Sequence, residues 1–339
     1  MARQQSAPFA CVMSEDRDLA PKLERIGDNS QPIKLGDLAA LSDLADDDLA
    51  LFQSEWPLFE QTHRRSLAQA MQELSEESLE LDFRAAFLTM LEDDDDAAVR
   101  ISAARGLIED TRRSTMRRLL QALTNDNDET VRATVATTLG AWTLQVAQGD
   151  LDQRISSEIE QTLLAVFNDI TTAKSVRQRL LETLGYLGDQ ADIMQAIETA
   201  FHSADDSWQQ SALAAMGHTG MKRWLPSVKE ALDDDNEATR FEAARAAGGL
   251  ADLARPILRE VARLSADDDV EVATTAIWAL GQIGGDEAKR FLEKLAQEGE
   301  GARLEAATEA LHELEFFDDP MGNLALADEA DDDDLDDEE

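Results

Sequence analysis

The chain has 339 residues with 31 Lys and Arg against 71 Asp and Glu, a formal charge of −40, four His and one Cys. Phosphate contacts need clustered cations, so this balance disfavours direct binding to nucleic acid or to an anionic membrane face and favours basic or cation-carrying protein partners. The lone Cys11 excludes an intramolecular disulfide and a thiolate metal cluster, no run of eighteen apolar residues is present, and the N-terminal MARQQSAPFACVMSEDRD lacks a signal-peptide core, so the expected setting is the cytoplasm and no membrane.

Residues 1–30 are polar, carry Pro8 and Pro21, show no helical apolar period and read as a disordered N-terminal tail. From 31 to 79 the pattern turns helical, with Leu38, Leu41 and Leu44, then Leu49, Phe52 and Trp56, then Leu67, Met71 and Leu74. This stretch does not share the period of residues 80–317 and is expected to be a helical cap over the first apolar face of a repeat array.

Residues 80–317 repeat. A Val-Arg pair, or its equivalent, opens the second helix of each unit at Val99-Arg100, Val131-Arg132, Val176-Arg177, Trp208-Gln209, Thr239-Arg240, Val272-Ala273 and Ala302-Arg303, in steps of 32, 45, 32, 31, 33 and 30 residues. The long second step places extra residues around Gln145 to Ser157, where GDLDQR at 149–154 reads as an inserted loop after a longer helix. After each anchor runs an Ala-rich helix that ends in Gly, as in RATVATTLG from Arg132 and RQRLLETLG from Arg177. Such a Gly suits a left-handed helix end or a close helix crossing. Before each anchor lies a helix with apolar residues at three- and four-residue steps, such as Met116, Leu119, Leu120 and Leu123, or Ile193, Ile197 and Phe201. Strand signals are absent, so the fold class is all-α. Residues 318–339 hold twelve of the acids and no base and read as an acidic disordered tail, which leaves −28 on the rest of the chain.

The pattern Val-Arg-x-x-Ala-x-x-Ala-Leu-Gly-x-Ile-Gly-Asp, seen best from Val272 to Asp286 and from Val176 to Asp189, resembles HEAT repeats, most closely the HEAT-like repeats of phycobilisome lyases. The resemblance implies a right-handed α-α superhelix, a solenoid of about seven helical hairpins whose second helices line the concave face. It also implies a ladder between an Asp of the inter-helix turn and the Arg six residues on. Asp94/Arg100, Asp126/Arg132 and Asp234/Arg240 keep that spacing, whereas the other units depart from it.

Several chemical signals reduce to structure. The acidic turns at 93–96, 126–129, 233–237 and 267–269 lack the sixth-position Gly and twelfth-position Glu of a calcium loop and suit helix N-caps. The basic cluster Arg112, Arg113, Arg117 and Arg118 is expected to be neutralised by acids of neighbouring turns. The four histidines show no helical zinc spacing, no phosphate loop or nucleophile elbow is visible, and the glycine pairs read as helix stops. No metal, cofactor or catalytic residue is therefore expected.

Counting from the residue after each anchor's first member as zero, positions +3, +4 and +7 pack, so +2, +5 and +9 should form an exposed ridge. The candidate partner-binding residues there are Arg105, Arg179, Glu182, Tyr186, His218, Glu242, Arg245, Thr275, Trp278, Gln282 and His312. This ridge is nearly neutral on a strongly acidic chain and carries the aromatic and Arg side chains that interfaces enrich. The expected function is a non-enzymatic scaffold that binds a protein along this face. The resemblance also implies a bilin lyase-like or chromophore-protein assembly role, and the acidic tail suggests a chaperone for basic proteins.

Overall fold

A computed structural model describes residues 19–78 and 80–318, and among them the regular structure is helical with no strand. The Met1–Trp142 unit contains α1 (Leu19–Ile26), α2 (Leu35–Leu38), α3 (Asp46–Glu55), α4 (Gln61–Glu77), α5 (Arg84–Asp93), α6 (Ala97–Gly106), α7 (Arg113–Asn125) and α8 (Glu129–Thr138). The division from the second unit, Thr143–Glu339, falls within α9 (Gly140–Gln148). The second unit contains α10 (Gln153–Asn168), α11 (Lys174–Leu184), α12 (Ala191–Phe201), α13 (Asp206–His218), α14 (Leu225–Ala231), α15 (Glu237–Gly249), α16 (Leu258–Leu264), α17 (Val270–Ile283), α18 (Gly285–Glu298) and α19 (Ala302–Asp318).

Each unit is built of antiparallel hairpins stacked in two layers. In the first, α3 packs on α5 and α5 on α7, while α4 packs on α6 and α6 on α8. In the second, the anchor helices α11, α13, α15, α17 and α19 succeed one another as neighbours, and each rests on its own first helix. The three- and four-residue apolar steps supply the inner face: Met116, Leu119, Leu120 and Leu123 of α7 and Ile193, Ile197 and Phe201 of α12 are buried.

Most acidic turns share one construction. In the pattern Asp-x-Asp, the first carboxylate closes the turn by accepting the third residue's N–H, and the second caps the next helix. Asp94 accepts from Asp96 N at 2.8 Å and Asp96 from Ala98 N at 2.9 Å; Asp126 and Asp128 repeat this at 2.8 Å each. In the second unit Asp267 and Asp269 do the same, and Asn236 takes the capping place after Asp234. Each such cap contributes about 1 kcal/mol. The acids are thereby spent on backbone N–H groups, as their spacing implied.

The ladder exists in short runs. Arg100 reaches back to the Asp94 carbonyl at 3.0 Å and forward to both carboxylate oxygens of Asp126 at 2.8 and 2.9 Å. Arg240 likewise holds the Asp234 carbonyl at 2.9 Å and Asp267 at 2.8 and 2.9 Å. Arg132 and Arg177 instead turn onto carbonyls of their own first helices, Leu123 and Phe167. In the basic cluster, Arg112 pairs with Asp82 and Asp110, and Arg118 with Glu92.

The loop expected at 149–154 lies at 149–152, after helical residues that continue past Thr138 as α9, with a break at Leu139. Two expectations change. Leu19–Ile26, inside the stretch read as tail, is a helix with Leu19, Leu23 and Ile26 buried, and Pro21 is tolerated because it lies in the first turn. The α3–α4 segment stacks on α5–α6 as a further hairpin: His63-Arg64 stands in the anchor place, Arg64 pairs with Asp94 and Asp95, and Trp56 Nε1 donates to Asp94 at 2.7 Å. Residues 1–18 and 319–339, which include Cys11 and nearly all of the acidic tail, lie outside the described residues.

Candidate functional site: the second-helix ridge

The glycine that ends an anchor helix is where the next anchor helix comes close. A Cβ on Gly185 would lie 2.6 Å from the Ala215 carbonyl oxygen, one on Gly217 2.9 Å from Ala246 Cα, and one on Gly281 3.1 Å from Ala310 Cβ. Gly185 keeps right-handed helical angles, so its role is the close crossing, not the left-handed stop. Only Gly284 and Gly285, with φ of 63° and 84°, act as the stop that the sequence suggested for the glycine pairs.

These approaches decide what the ridge looks like. On α11, Arg179 is exposed and its Nη1 lies 2.8 Å from Glu182 Oε2. On α15, Arg245 Nε donates to Glu242 Oε2 at 2.8 Å. Helix α13 between them offers only Ser211 and Ala214 at the same register, 2% and 3% exposed. It is recessed, with Glu182 bonded to Ser211 and under the influence of both Glu242 and Arg245. Glu182 itself is 8% exposed. The expectation that +2 and +5 always face solvent is therefore corrected at Glu182, Ser211 and Ala214, because neighbours brought this close roof over the small residues of α13.

At the end of α13, His218 stacks on Tyr186 with ring centres 4.3 Å apart and planes 8° from parallel, and its Nδ1 lies 2.8 Å from the Glu182 carbonyl oxygen. Burial pushes the Glu182 carboxyl up, an effect partly offset by Arg179 and by the Ser211 hydrogen bond. Burial also raises Tyr186 and lowers His218, whose bond to the Glu182 carbonyl works the other way while Arg245 adds to the lowering.

Trp278 on α17 is 38% exposed and lies with one edge against α15, where a Cβ on Gly248 would meet its ring at 2.4 Å. Thr275 is half-buried, Gln282 donates to Glu313 at 3.2 Å, and His312 on α19 is exposed. The fold thus gathers Arg179, Glu182, Tyr186, His218, Glu242 and Arg245 into one network, with Trp278 beside it through Gly248. Arg105 is not part of this group. It belongs to the first unit, where it lines a cavity of about 360 Å³ with Phe83, Phe87, Arg84, Asp110 and Arg112. Sequence reasoning missed Ser211 as a bonding partner and missed this cavity; the Gly and Ala content of α13 was the available signal for the first.

The HEAT repeats family model matches residues 84–152, 193–270 and 240–312, more than half of the chain. The chain belongs to the HEAT-repeat family. Among solved structures, YibA of Escherichia coli is similar at 17% identity over 84% of this chain and 99% of that one, with a TM-score of 0.42. An engineered protein is similar at 16% identity over 90% and 87%, TM-score 0.39, and human deoxyhypusine hydroxylase in complex with glycerol at 15% over 88% and 96%, TM-score 0.34. No curated protein matches the sequence.

Proposed function

We propose that this protein is a non-enzymatic scaffold that holds a protein partner along the second-helix ridge of α11 to α17. The observation that carries the reading is a patch of Arg179, Tyr186, His218, Arg245 and Trp278 whose arginines are balanced by Glu182 and Glu242, on a chain of charge −40. Docking there desolvates little unpaired charge and gains aromatic and guanidinium contact, the composition that interface centres favour. The acidic turns and tail then steer basic partners toward the protein without forming the contact itself.

Cross-linking mass spectrometry on the tagged protein in its own cells tests this. Cross-links should concentrate on α11, α13, α15 and α17, and Trp278→Ala should lose most of them. Cross-links confined to the first helices, or to the acidic tail, would overturn the reading. The bilin-handling role rests on the phycobilisome-lyase resemblance alone, and the cytoplasmic setting on the composition of the chain.

A further inference from the structure

Two titratable groups of the ridge meet at the α11–α13 crossing, Glu182 buried and His218 half-buried. The Glu182 carbonyl lies in the last turn of α11, where it accepts the Gly185 N–H and keeps a second lone pair. His218 of α13 closes on that carbonyl from the neighbouring hairpin at 2.8 Å. A carbonyl oxygen only accepts, so Nδ1 carries the hydrogen and, in the neutral ring, the lone pair sits on Nε2. The stack on Tyr186 holds the ring plane. The Glu182 carboxylate, attached to the same residue, is held 2.8 Å from Arg179 over recessed α13.

The charged groups that act most on these two come from the flanking anchor helices: Arg179 from α11, and Glu242 and Arg245 from α15. Helix α13 itself adds the uncharged Ser211. Helix α12, which packs under α13, presents buried Ile193, Ile197 and Phe201. Two arginines therefore balance two glutamates around a neutral imidazole, and the patch has no net charge while Glu182 is ionised and His218 is not.

We propose that Glu182 and His218 form a proton-uptake pair that switches this ridge from balanced near neutral pH to cationic in mild acid, and thereby controls what docks on it. Only the last clause rests on the ridge being the docking surface. On acidification each group takes one proton: the Glu182 carboxylate becomes a neutral acid and His218 becomes an imidazolium at Nε2. Arg179 then loses its counter-charge, Arg245 gains a like-charged neighbour, and the patch carries two more positive charges. A basic partner segment is repelled and an acidic one attracted, on a face that solvent screens less than an open surface.

The groups are suited to this because their environments move them toward each other. Burial raises Glu182 from its usual 4.5 and depresses His218 from its usual 6.5, so the carboxyl and the imidazole are displaced toward each other. Their effects on stability oppose one another. With its folded value raised, Glu182 costs stability as the pH rises from 4.5 through that value. With its folded value depressed, His218 costs stability as the pH falls from 6.5 through that value.

The full chain, labelled with 13C-histidine and 13C-glutamate and titrated without any partner, tests the pair separately from the docking reading. The carboxyl resonance removed by Glu182→Gln should titrate above 4.5, and the ring resonance removed by His218→Asn below 6.5. Ordinary midpoints for both, or a displaced midpoint for only one, overturn the proposal. A second arm tracks urea unfolding of the two variants from about pH 7 to about pH 5. Gln keeps the shape of Glu, and Asn keeps an N–H for the carbonyl while giving up the ring stacked on Tyr186, so the readout is the slope of stability with pH and not its absolute level. Relative to the unaltered chain, Glu182→Gln should lose stability more steeply on acidification and His218→Asn less steeply. Curves parallel to the unaltered chain for both variants contradict the pair.

Discussion

Helix α15 carries two arginines five residues apart that do different work. Arg240, near its start, crosses to the next hairpin and holds both oxygens of Asp267 while also bonding its own turn at the Asp234 carbonyl. Arg245, on the ridge, pairs with Glu242 of the same helix. The first pair joins two repeats at a buried carboxylate; the second neutralises a surface. A salt bridge in this fold is thus structural when it spans a turn and adaptable when it stays on one helix, although both bonds measure 2.8 Å.

Breaking the spanning pair should have the largest effect. Asp267→Ala removes the acceptor of Arg240 and also the oxygen that closes the turn onto Asp269 N at 3.0 Å, leaving a guanidinium without its counter-charge. A loss of about 3 kcal/mol is expected, read as a lower urea midpoint with the ellipticity of the folded state retained. A loss no larger than that of an exposed pair would erase the distinction between the two arginines.

Next comes the close crossing that shapes the ridge. Gly185→Ala places a methyl 2.6 Å from a backbone oxygen and 2.9 Å from a Cα of α13, atoms that cannot rotate away, so the two helices must separate. About 2 kcal/mol is expected, together with faster amide exchange at Ser211 and Ala214 as the roof over α13 opens. Gly36→Ala, where nothing lies within 4 Å, serves as the control and should be nearly silent. Equal effects of the two would show that Gly185 is an ordinary helix residue.

The repeat was legible because its marks are packing marks. Val131-Arg132, Val176-Arg177 and the terminal glycines recur wherever a hairpin must meet the next one, and the acid turns recur because every second helix needs a cap. The α3–α4 hairpin was not legible by motif, since His63-Arg64 replaces Val-Arg and its acceptors, Asp94 and Asp95, belong to the next turn along the chain. The ridge rule succeeded at Arg179 and Trp278, where a helix can be treated alone. It failed at Glu182, Ser211 and Ala214 because exposure there depends on how near α11 and α15 stand, and that distance is set by Gly185 and Gly217 rather than by the ridge residues. The stack of His218 on Tyr186 joins two different repeats, a relation that periodicity within one repeat does not contain.

The smallest effect should come from the ridge pair itself. Glu242→Gln weakens the bond to Arg245 but leaves a side-chain oxygen of the same shape, and both partners are partly open to solvent, with side chains 20% and 38% exposed. Pairs of this kind contribute little, so less than about 0.5 kcal/mol should be lost. The consequence lies in charge: with Glu242 neutral, the patch of Arg179, Glu182 and Arg245 acquires one positive charge at neutral pH. A partner held by the ridge should then bind with altered salt dependence while the stability of the scaffold stays where it was. A change in stability as large as that of Asp267→Ala would place Arg245 among the structural rungs and remove the contrast between the two arginines of α15.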